Sequence, residues 1–345
     1  MNFNERYFSL SCDLDLSLVI AVYNEEAVVS DLLALLHAVL RTEKITYEII
    51  IVDDGSSDGT LAALREHLVR IPSLRVIELY RNVGQFAAIS AGMSVARGAW
   101  ILMMDGDLQH DPADIPRFLA ERESGADLIA SYREKREENS RRKLITAIMN
   151  RLNRLLLGVQ LRDFGSAYRL IRNEIILLMK DRAGYVHYNT ADLFIKSRRY
   201  IEIPIVQGRR KSGSSKWTLL MFVMFNLDIL VTAMRPVLLA VWGSLLGVVV
   251  GIALYVLHLV GATSQVQALT GPVSIILLSL QMFVLCVILR QLIRERPLML
   301  GTPSFLIRAI YSNRVVLPAP DLDRLGAAAG GDSDKQPSRG QDFAP

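Results

Sequence analysis

The chain has 345 residues, 51% of them hydrophobic, and a formal net charge of +4. Its two cysteines exclude a disulfide framework and a cysteine-ligated metal site. The hydrophobic content is high for a soluble enzyme, and the excess lies mainly after residue 218. The basic balance fits either a solvated surface or attraction to anionic lipid, whereas no nucleic-acid-binding module is recognisable and we expect no nucleic acid partner.

Strand-type and helix-type segments alternate through the first 130 residues. The predicted strands cover 16–22, 47–54, 73–79, 99–105 and 127–132, and the predicted helices cover 25–40, 58–70, 84–96 and 112–123. This alternation predicts an α/β fold with a mostly parallel, Rossmann-like sheet covered on both faces. Ligands bind such sheets at the carboxyl ends of the strands.

Polar clusters follow three of the predicted strands, and the third cluster carries the sharpest chemical signal. These clusters are 23–25, 53–55 and 105–107, the last reading Asp105-Gly106-Asp107. Two carboxylates at the mouth of a buried strand repel each other unless a cation lies between them. We therefore expect a divalent metal at Asp105 and Asp107. The chain has no G-x-G-x-x-G after the first strand, so a dinucleotide site is not expected.

The second half of the chain predicts a membrane hairpin. No charged residue lies between Arg235 and Arg290, which leaves room for two spans, at 236–260 and 272–293. Basic residues flank the outer ends of the pair, so the positive-inside rule puts both ends in the cytoplasm. The segment 141–158 is predicted as an apolar-faced helix, packed either on the domain core or on anionic lipid.

These patterns divide the chain into a catalytic domain, a membrane part and flanking segments. The predicted division is an N-terminal extension (1–15), a catalytic domain (16–213), an amphipathic juxtamembrane helix (214–235), two transmembrane helices (236–294), a cytoplasmic juxtamembrane segment (295–317) and a disordered tail (318–345).

Four motifs in a fixed order resemble glycosyltransferase family 2, whose catalytic domain has the GT-A fold. They are LVIAVYNEE (18–26), VDDGSSDGT (52–60), NVGQ (82–85) and DGDLQHDP (105–112). Downstream, DFG (163–165), EIP (202–204) and RKSGSSK (210–216) resemble the polyprenyl-phosphate branch. Dolichyl-phosphate mannose synthases and bacterial undecaprenyl-phosphate sugar transferases belong to that branch.

The resemblance implies a role for each matching residue. Asp105 and Asp107 would hold Mg²⁺ or Mn²⁺, with Asp105 facing the ribose and diphosphate. Asp163 could serve the acceptor site or the structure, and His110 is expected to be a solvated neighbour of the aspartates. The remaining implied contacts are with the nucleoside (Tyr23, Glu25, Asp53 and Asp54), with the sugar (Gln109) and with phosphate of the donor or lipid (Arg210 and Lys216).

The implied reaction is transfer of a sugar from a nucleotide-diphospho-sugar, with UDP favoured, to polyprenyl phosphate. A phosphate monoester is largely ionised near pH 7, since its second pKa is about 6, so no strong general base is needed. The expected setting is the bacterial inner membrane, with a cytoplasmic catalytic domain, and the resemblance suggests a homo-oligomer, a tetramer. Two alternatives stay open: a processive polysaccharide synthase and an inactive lipid-binding scaffold.

Overall fold

The structure is a computed structural model that describes residues 13–134, 151, 161–163, 165–181, 184–206, 208, 304–313 and 316–318, with isolated helical positions between 243 and 289. The predicted juxtamembrane helix, the tail after Pro318 and nearly all of 141–158 lie outside these residues. Only isolated positions of the two predicted spans are described. Among the described residues, no helix combines the length and apolarity needed to cross a membrane.

The described residues form strands and helices in alternation, as the sequence predicts. The strands are β1 (Leu14–Val22), β2 (Tyr47–Asp53), β3 (Leu74–Leu79), β4 (Gly98–Met103), β5 (Leu128–Arg133), β6 (Arg169–Arg172), β7 (Tyr200–Ile205), β8 (Ile307–Ser312) and β9 (Val316–Pro318). The helices are α1 (Glu26–Leu40), α2 (Thr60–His67), α3 (Gln85–Val95), α4 (Ile115–Ala120), α5 (Asn173–Leu177) and α6 (Thr190–Lys196).

The described strands make one nine-stranded sheet in the order β7-β5-β6-β4-β1-β2-β3-β8-β9. Seven of them share one direction, because only β6 and β8 pair antiparallel with the neighbours on both sides. The mostly parallel sheet predicted from the sequence is therefore confirmed, with two reversed strands that make it mixed.

Alternate side chains of the central strands supply two separate cores. Val19 and Val52 face one side of the sheet and pack with α3, whereas Leu18 and Ile51 face the other side and pack with α1. Helix α3 approaches closely at Gly92, where a Cβ would lie 2.5 Å from the Cγ1 atom of Val19. The absence of a side chain at Gly92 therefore lets α3 pack closely against β1.

One helix differs from the sequence prediction. The predicted helix at 112–123 is a 3₁₀ turn (Pro112–Asp114), then α4, then a second 3₁₀ turn (Glu121–Ser124). Its start is set by the carboxylate of Asp111, which accepts a hydrogen bond from the Ala113 amide. The segment predicted to lie beside the membrane at 295–317 contains β8 and most of β9, which extend the sheet beyond β3.

Candidate active site

The polar clusters predicted from the sequence meet at one edge of the sheet. Val22 at the end of β1 pairs with Asp53 at the end of β2. On its other side, β1 pairs with β4, in a register that puts Val19 beside Met103. Because the three strands are parallel, the residues that follow them emerge at the same edge, as expected for a ligand site in a sheet of this kind.

The loops after β1 and β2 hold each other through reciprocal hydrogen bonds. Asn24 has a left-handed backbone (φ +54°), its amide donates to the Ser56 hydroxyl, and its side-chain oxygen accepts from the Ser57 amide. The Glu25 amide donates to the hydroxyl of Thr60 at 2.9 Å. These contacts fix the backbone that carries the half-buried side chains of Tyr23 and Glu25.

Gly55 lets the second loop pass against the segment that follows β3. Its φ is +65°, in the region that side-chain-bearing residues rarely adopt. A Cβ there would lie 2.5 Å from the backbone carbonyl carbon of Arg81. The glycine is therefore required both by its backbone angle and by the space.

Asp53 and Asp54 have different surroundings. The Asp53 carboxylate accepts the Ser56 amide at 3.3 Å and is 1% exposed. The Asp54 carboxylate accepts the amides of Val83 and Gly84, at 2.8 and 3.0 Å, just before α3 begins. Burial raises the pKa of both carboxyl groups, although these hydrogen bonds oppose the rise. Asp54 thus fixes the start of α3, whereas Asp53 is buried at the end of β2 and bonded to Ser56.

Asp105 is held by a side chain that the sequence analysis did not assign to the site. Gln85, the first residue of α3, donates from its amide nitrogen Nε2 to Asp105 Oδ1 at 2.6 Å. The Asp105 side chain is 31% exposed, which leaves it accessible to a ligand. Asp54 therefore acts on Asp105 indirectly, because it fixes the turn from which Gln85 projects. The NVGQ motif (82–85) marked this segment in the sequence but did not indicate the partner of Gln85.

Asp107 and Gln109 lie in a strained turn. Leu108 between them has φ +59°, a conformation that costs a side-chain-bearing residue about 1–2 kcal/mol. Asp107 is nearly buried, and its Oδ1 accepts the Gln109 amide at 3.1 Å. The Gln109 carbonyl in turn accepts the amide of Gly208 at 2.9 Å. The chain leading to the basic motif (210–216) therefore contacts the loop 105–109, here called the aspartate loop. Arg210 and Lys216 themselves lie outside the described residues.

His110 is buried, so the expectation of a solvated neighbour is wrong. Its Nδ1 accepts the backbone amide of Asp105 at 3.2 Å, and its ring lies 5.1 Å from the ring of Tyr168. Burial lowers the pKa of His110, although the nearby carboxylates of Asp105 and Asp107 oppose that shift. The imidazole is therefore neutral, and its Nδ1 stabilises the aspartate loop by accepting the Asp105 amide.

Asp163, for which two roles were open, makes a buried ion pair. The guanidinium of Arg133 at the end of β5 donates to its two oxygens, at 2.6 Å from Nε and 3.0 Å from Nη2. The Asp163 amide and the neighbouring Arg162 amide donate to Glu202 of β7. These contacts favour the structural role, because they tie β5, β7 and the segment around 163 together.

A further loop docks on α3 beside Gln85. The amides of Val186 and Tyr188 donate to the hydroxyls of Ser94 and Ser90, and the Tyr188 ring stacks on Phe86 at 5.7 Å. No short motif announced this loop, since its partners lie more than 90 residues away in the sequence. This loop therefore packs on the same helix whose first residue, Gln85, holds Asp105.

Comparison with known proteins identifies the family of the chain. The family described as "Glycosyl transferase family 2" matches residues 17–177. The undecaprenyl-phosphate 4-deoxy-4-formamido-L-arabinose transferase of Klebsiella pneumoniae is 35% identical over 70% of this chain and 76% of its own length. The dodecaprenyl-phosphate galacturonate synthase of Rhizobium johnstonii is 37% identical over 59% of this chain and 62% of its own length.

Solved structures give more distant similarity. Glucosyl-3-phosphoglycerate synthase from Mycobacterium tuberculosis, in complex with Mn²⁺, UDP-glucose and phosphoglyceric acid, is 16% identical with a TM-score of 0.47. The similarity covers 64% of this chain and 80% of that one, and it is too distant to bear on substrates. The sequence relatives define the class as a sugar-transferring enzyme. The chain belongs to glycosyltransferase family 2, as its motifs predicted.

Proposed function

We propose that this enzyme transfers one sugar from a nucleotide-diphospho-sugar, with UDP as the favoured nucleotide, to a polyprenyl phosphate. The observation that carries the proposal is the hydrogen bond between Gly208 and Gln109, which joins the chain before the basic motif to the aspartate loop. Arg210 follows Gly208 by two residues in the sequence. In this proposal, the basic residues after Gly208 and the carboxylates of Asp105 and Asp107 act on one diphosphate.

The names of the relatives support the acceptor class. Undecaprenyl phosphate and dodecaprenyl phosphate are the acceptors named for the Klebsiella and Rhizobium enzymes. We infer a polyprenyl phosphate acceptor here, and with it the two predicted spans at 236–260 and 272–293, a cytoplasmic catalytic domain and a bacterial inner-membrane location. The processive synthase and the inactive scaffold have no such support among these relatives.

A divalent cation fits the donor set at the aspartate loop. Among the described residues, no group of three or more His, Cys, Asp or Glu side chains could hold a metal ion. Mg²⁺ is usually bound by one or two carboxylates together with substrate phosphates, and Asp105 and Asp107 supply two carboxylates from one turn. Bound Mg²⁺ or Mn²⁺ would stabilise negative charge on the departing nucleoside diphosphate.

The chain's own residues bind and orient the two reactants. Asp53 would accept a hydrogen bond from the base or ribose, with Tyr23 and Glu25 lining the same edge. Gln85 holds the Asp105 carboxylate at 2.6 Å, so its position does not depend on the substrate. Such fixed geometry favours the reacting arrangement, because little reorganisation remains once the substrates are bound.

The bonds that form and break in the transfer account for every atom, and no basic side chain of the protein is needed. An oxygen of the acceptor phosphate attacks the anomeric carbon, and the bond from that carbon to the diphosphate oxygen breaks. The nucleoside diphosphate leaves with the electron pair, and the acceptor becomes a phosphodiester. Direct displacement inverts the anomeric configuration. Arg210 and Lys216 would neutralise phosphate charge during this exchange.

The proposal is tested by nucleotide release from the purified full-length protein in detergent. UDP-sugars and GDP-sugars are supplied singly with undecaprenyl phosphate and MgCl₂. We expect one UDP-sugar to release UDP only when the lipid is present, and EDTA to abolish the release. Release that is equally fast without lipid, or unaffected by EDTA, would contradict the proposal.

Matched variants locate the chemistry. Asp107→Asn should lower the rate by about 100-fold or more, since charge-stabilising groups of active sites contribute factors of this size. Asp114→Asn removes a charge from the same segment, where Asp114 pairs with the half-exposed Arg117, and it should leave the rate unchanged. Equal rates for the two variants would show that the Asp107 carboxylate does not contribute to the reaction.

A further inference from the structure

The strand that follows the predicted spans packs beside the proposed nucleoside site. Ala309 of β8 pairs with Glu78 of β3, and Glu78 pairs on its other side with Asp53 of β2. Glu78 is therefore the link between a C-terminal strand and the carboxylate proposed to bind the nucleoside. Nothing in the sequence motifs involves Glu78 or β8 in donor binding.

Two side chains of β8 hold the Glu78 carboxylate. The Tyr311 hydroxyl donates to Glu78 Oε2 at 2.6 Å, and Arg308 Nη1 lies 3.1 Å from Glu78 Oε1. The guanidinium of Arg65 on α2 lies over the Tyr311 ring, 4.7 Å from its centroid. The hydroxyl contact is the better shielded of the two, because the Arg308 side chain is 62% exposed and its ion pair is screened by water.

Asp53 and Glu78 place two acidic groups side by side. Residues paired on neighbouring strands project to the same face of the sheet, and like charges in that arrangement destabilise each other. Both residues are buried, so water screens their interaction poorly. The charge of Glu78 adds to the effect of burial in raising the pKa of the Asp53 carboxyl group.

We propose that Tyr311, assisted by Arg308, is a positioning residue for donor binding: it holds the Glu78 carboxylate so that Asp53 can accept a hydrogen bond from the nucleoside. Without the hydroxyl, Glu78 loses its closest donor, and its charge acts more strongly on Asp53. Asp53 is then more readily protonated, and a protonated carboxyl group is a poorer acceptor for a base or ribose. This inference rests on the nucleoside role proposed above for Asp53.

The test measures the affinity of the full-length protein for UDP with MgCl₂, by titration calorimetry in detergent. Tyr311→Phe should weaken UDP binding about threefold to tenfold, the change expected from loss of one hydrogen bond. Tyr47→Phe is the matched control, because Tyr47 is the first residue of β2 and Asp53 is the last. The UDP affinity of this variant should equal that of the wild type. Thermal unfolding checks that both variants are folded.

A double-mutant cycle separates positioning from general stability. Glu78→Gln removes the charge beside Asp53, so UDP should bind at least as tightly as to the wild type. In that background, Tyr311→Phe should change the affinity by less than about twofold, because the charge it controls is gone. In turnover, Tyr311→Phe should raise KM for the donor and leave KM for the lipid unchanged.

Two outcomes would overturn the inference alone. One is a wild-type protein that binds UDP with an affinity that Tyr311→Phe does not alter. The other is an equal loss of affinity with and without Glu78→Gln, which would mean that the hydroxyl acts independently of that charge. A wild-type protein that binds neither UDP nor GDP would overturn the proposed function itself, and this inference with it.

Discussion

His110 is buried next to the carboxylates of Asp105 and Asp107, and its protonation makes the stability of the fold depend on pH. Its lowered pKa means that below about pH 6.5 the unfolded chain binds a proton that the folded protein resists. Stability from this group is therefore lost as pH falls, by up to about 1.4 kcal/mol for each unit. Urea unfolding at pH 7.5 and 5.5 should show a smaller acid loss for His110→Asn than for the wild type.

The same measurement contains the outcome that would contradict the buried, neutral histidine. An asparagine oxygen can accept the Asp105 amide but does not titrate, so only the difference between the two proteins reports on His110. If both lose the same stability on acidification, His110 is protonated in the folded protein without cost.

Two glycines with positive φ give a matched pair of predictions. Gly55→Ala puts a Cβ 2.5 Å from the Arg81 backbone, whereas Gly84→Ala meets no atom within 4 Å. Gly84→Ala should cost only the backbone strain of about 1–2 kcal/mol, and Gly55→Ala should cost more because the loops must move apart. Thermal unfolding of the two variants would measure the difference, and equal losses would contradict the close packing at Gly55.

Asp54 connects the end of β2 to the start of α3. Asp54→Asn keeps one acceptor oxygen but loses the charge-assisted hydrogen bonds to the Val83 and Gly84 amides, a loss of about 1–3 kcal/mol. Hydrogen exchange should speed up at those amides and in the first turn of α3, while β1 keeps its protection. Unchanged exchange at 83–86 would mean that Asp54 does not hold this turn.

The sequence predicts elements best where the signal is local. The continuous apolar runs of β1, β2 and β4 identify strands, and the polar residues directly after them identify the ligand edge. By contrast, β6 has four residues and no distinctive period, and β8 acquires its partner from more than 200 residues away. The contacts of Gln85 with Asp105 and of Arg133 with Asp163 are missed for the same reason, because they form only when distant loops meet.

For the whole molecule, the catalytic sheet is completed by residues from near the C-terminus. Phe305 is buried against Tyr185, and β8 covers the edge of β3. Truncation after residue 304 should therefore lower the unfolding temperature and promote aggregation, since it uncovers a sheet edge. Truncation after residue 318 keeps β8 and β9 and should leave the unfolding temperature unchanged. Equal unfolding temperatures for the two truncated proteins would contradict a stabilising role for the C-terminal strands.

Transfer of one sugar to a polyprenyl phosphate is tested most directly by the mass spectrum of the lipid after incubation of the full-length enzyme with undecaprenyl phosphate, MgCl₂ and its UDP-sugar. We expect one new lipid, heavier than undecaprenyl phosphate by a single sugar residue, and we expect Asp107→Asn to abolish it. A ladder of longer glycans, or UDP release with no modified lipid, would contradict transfer of one sugar to a polyprenyl phosphate.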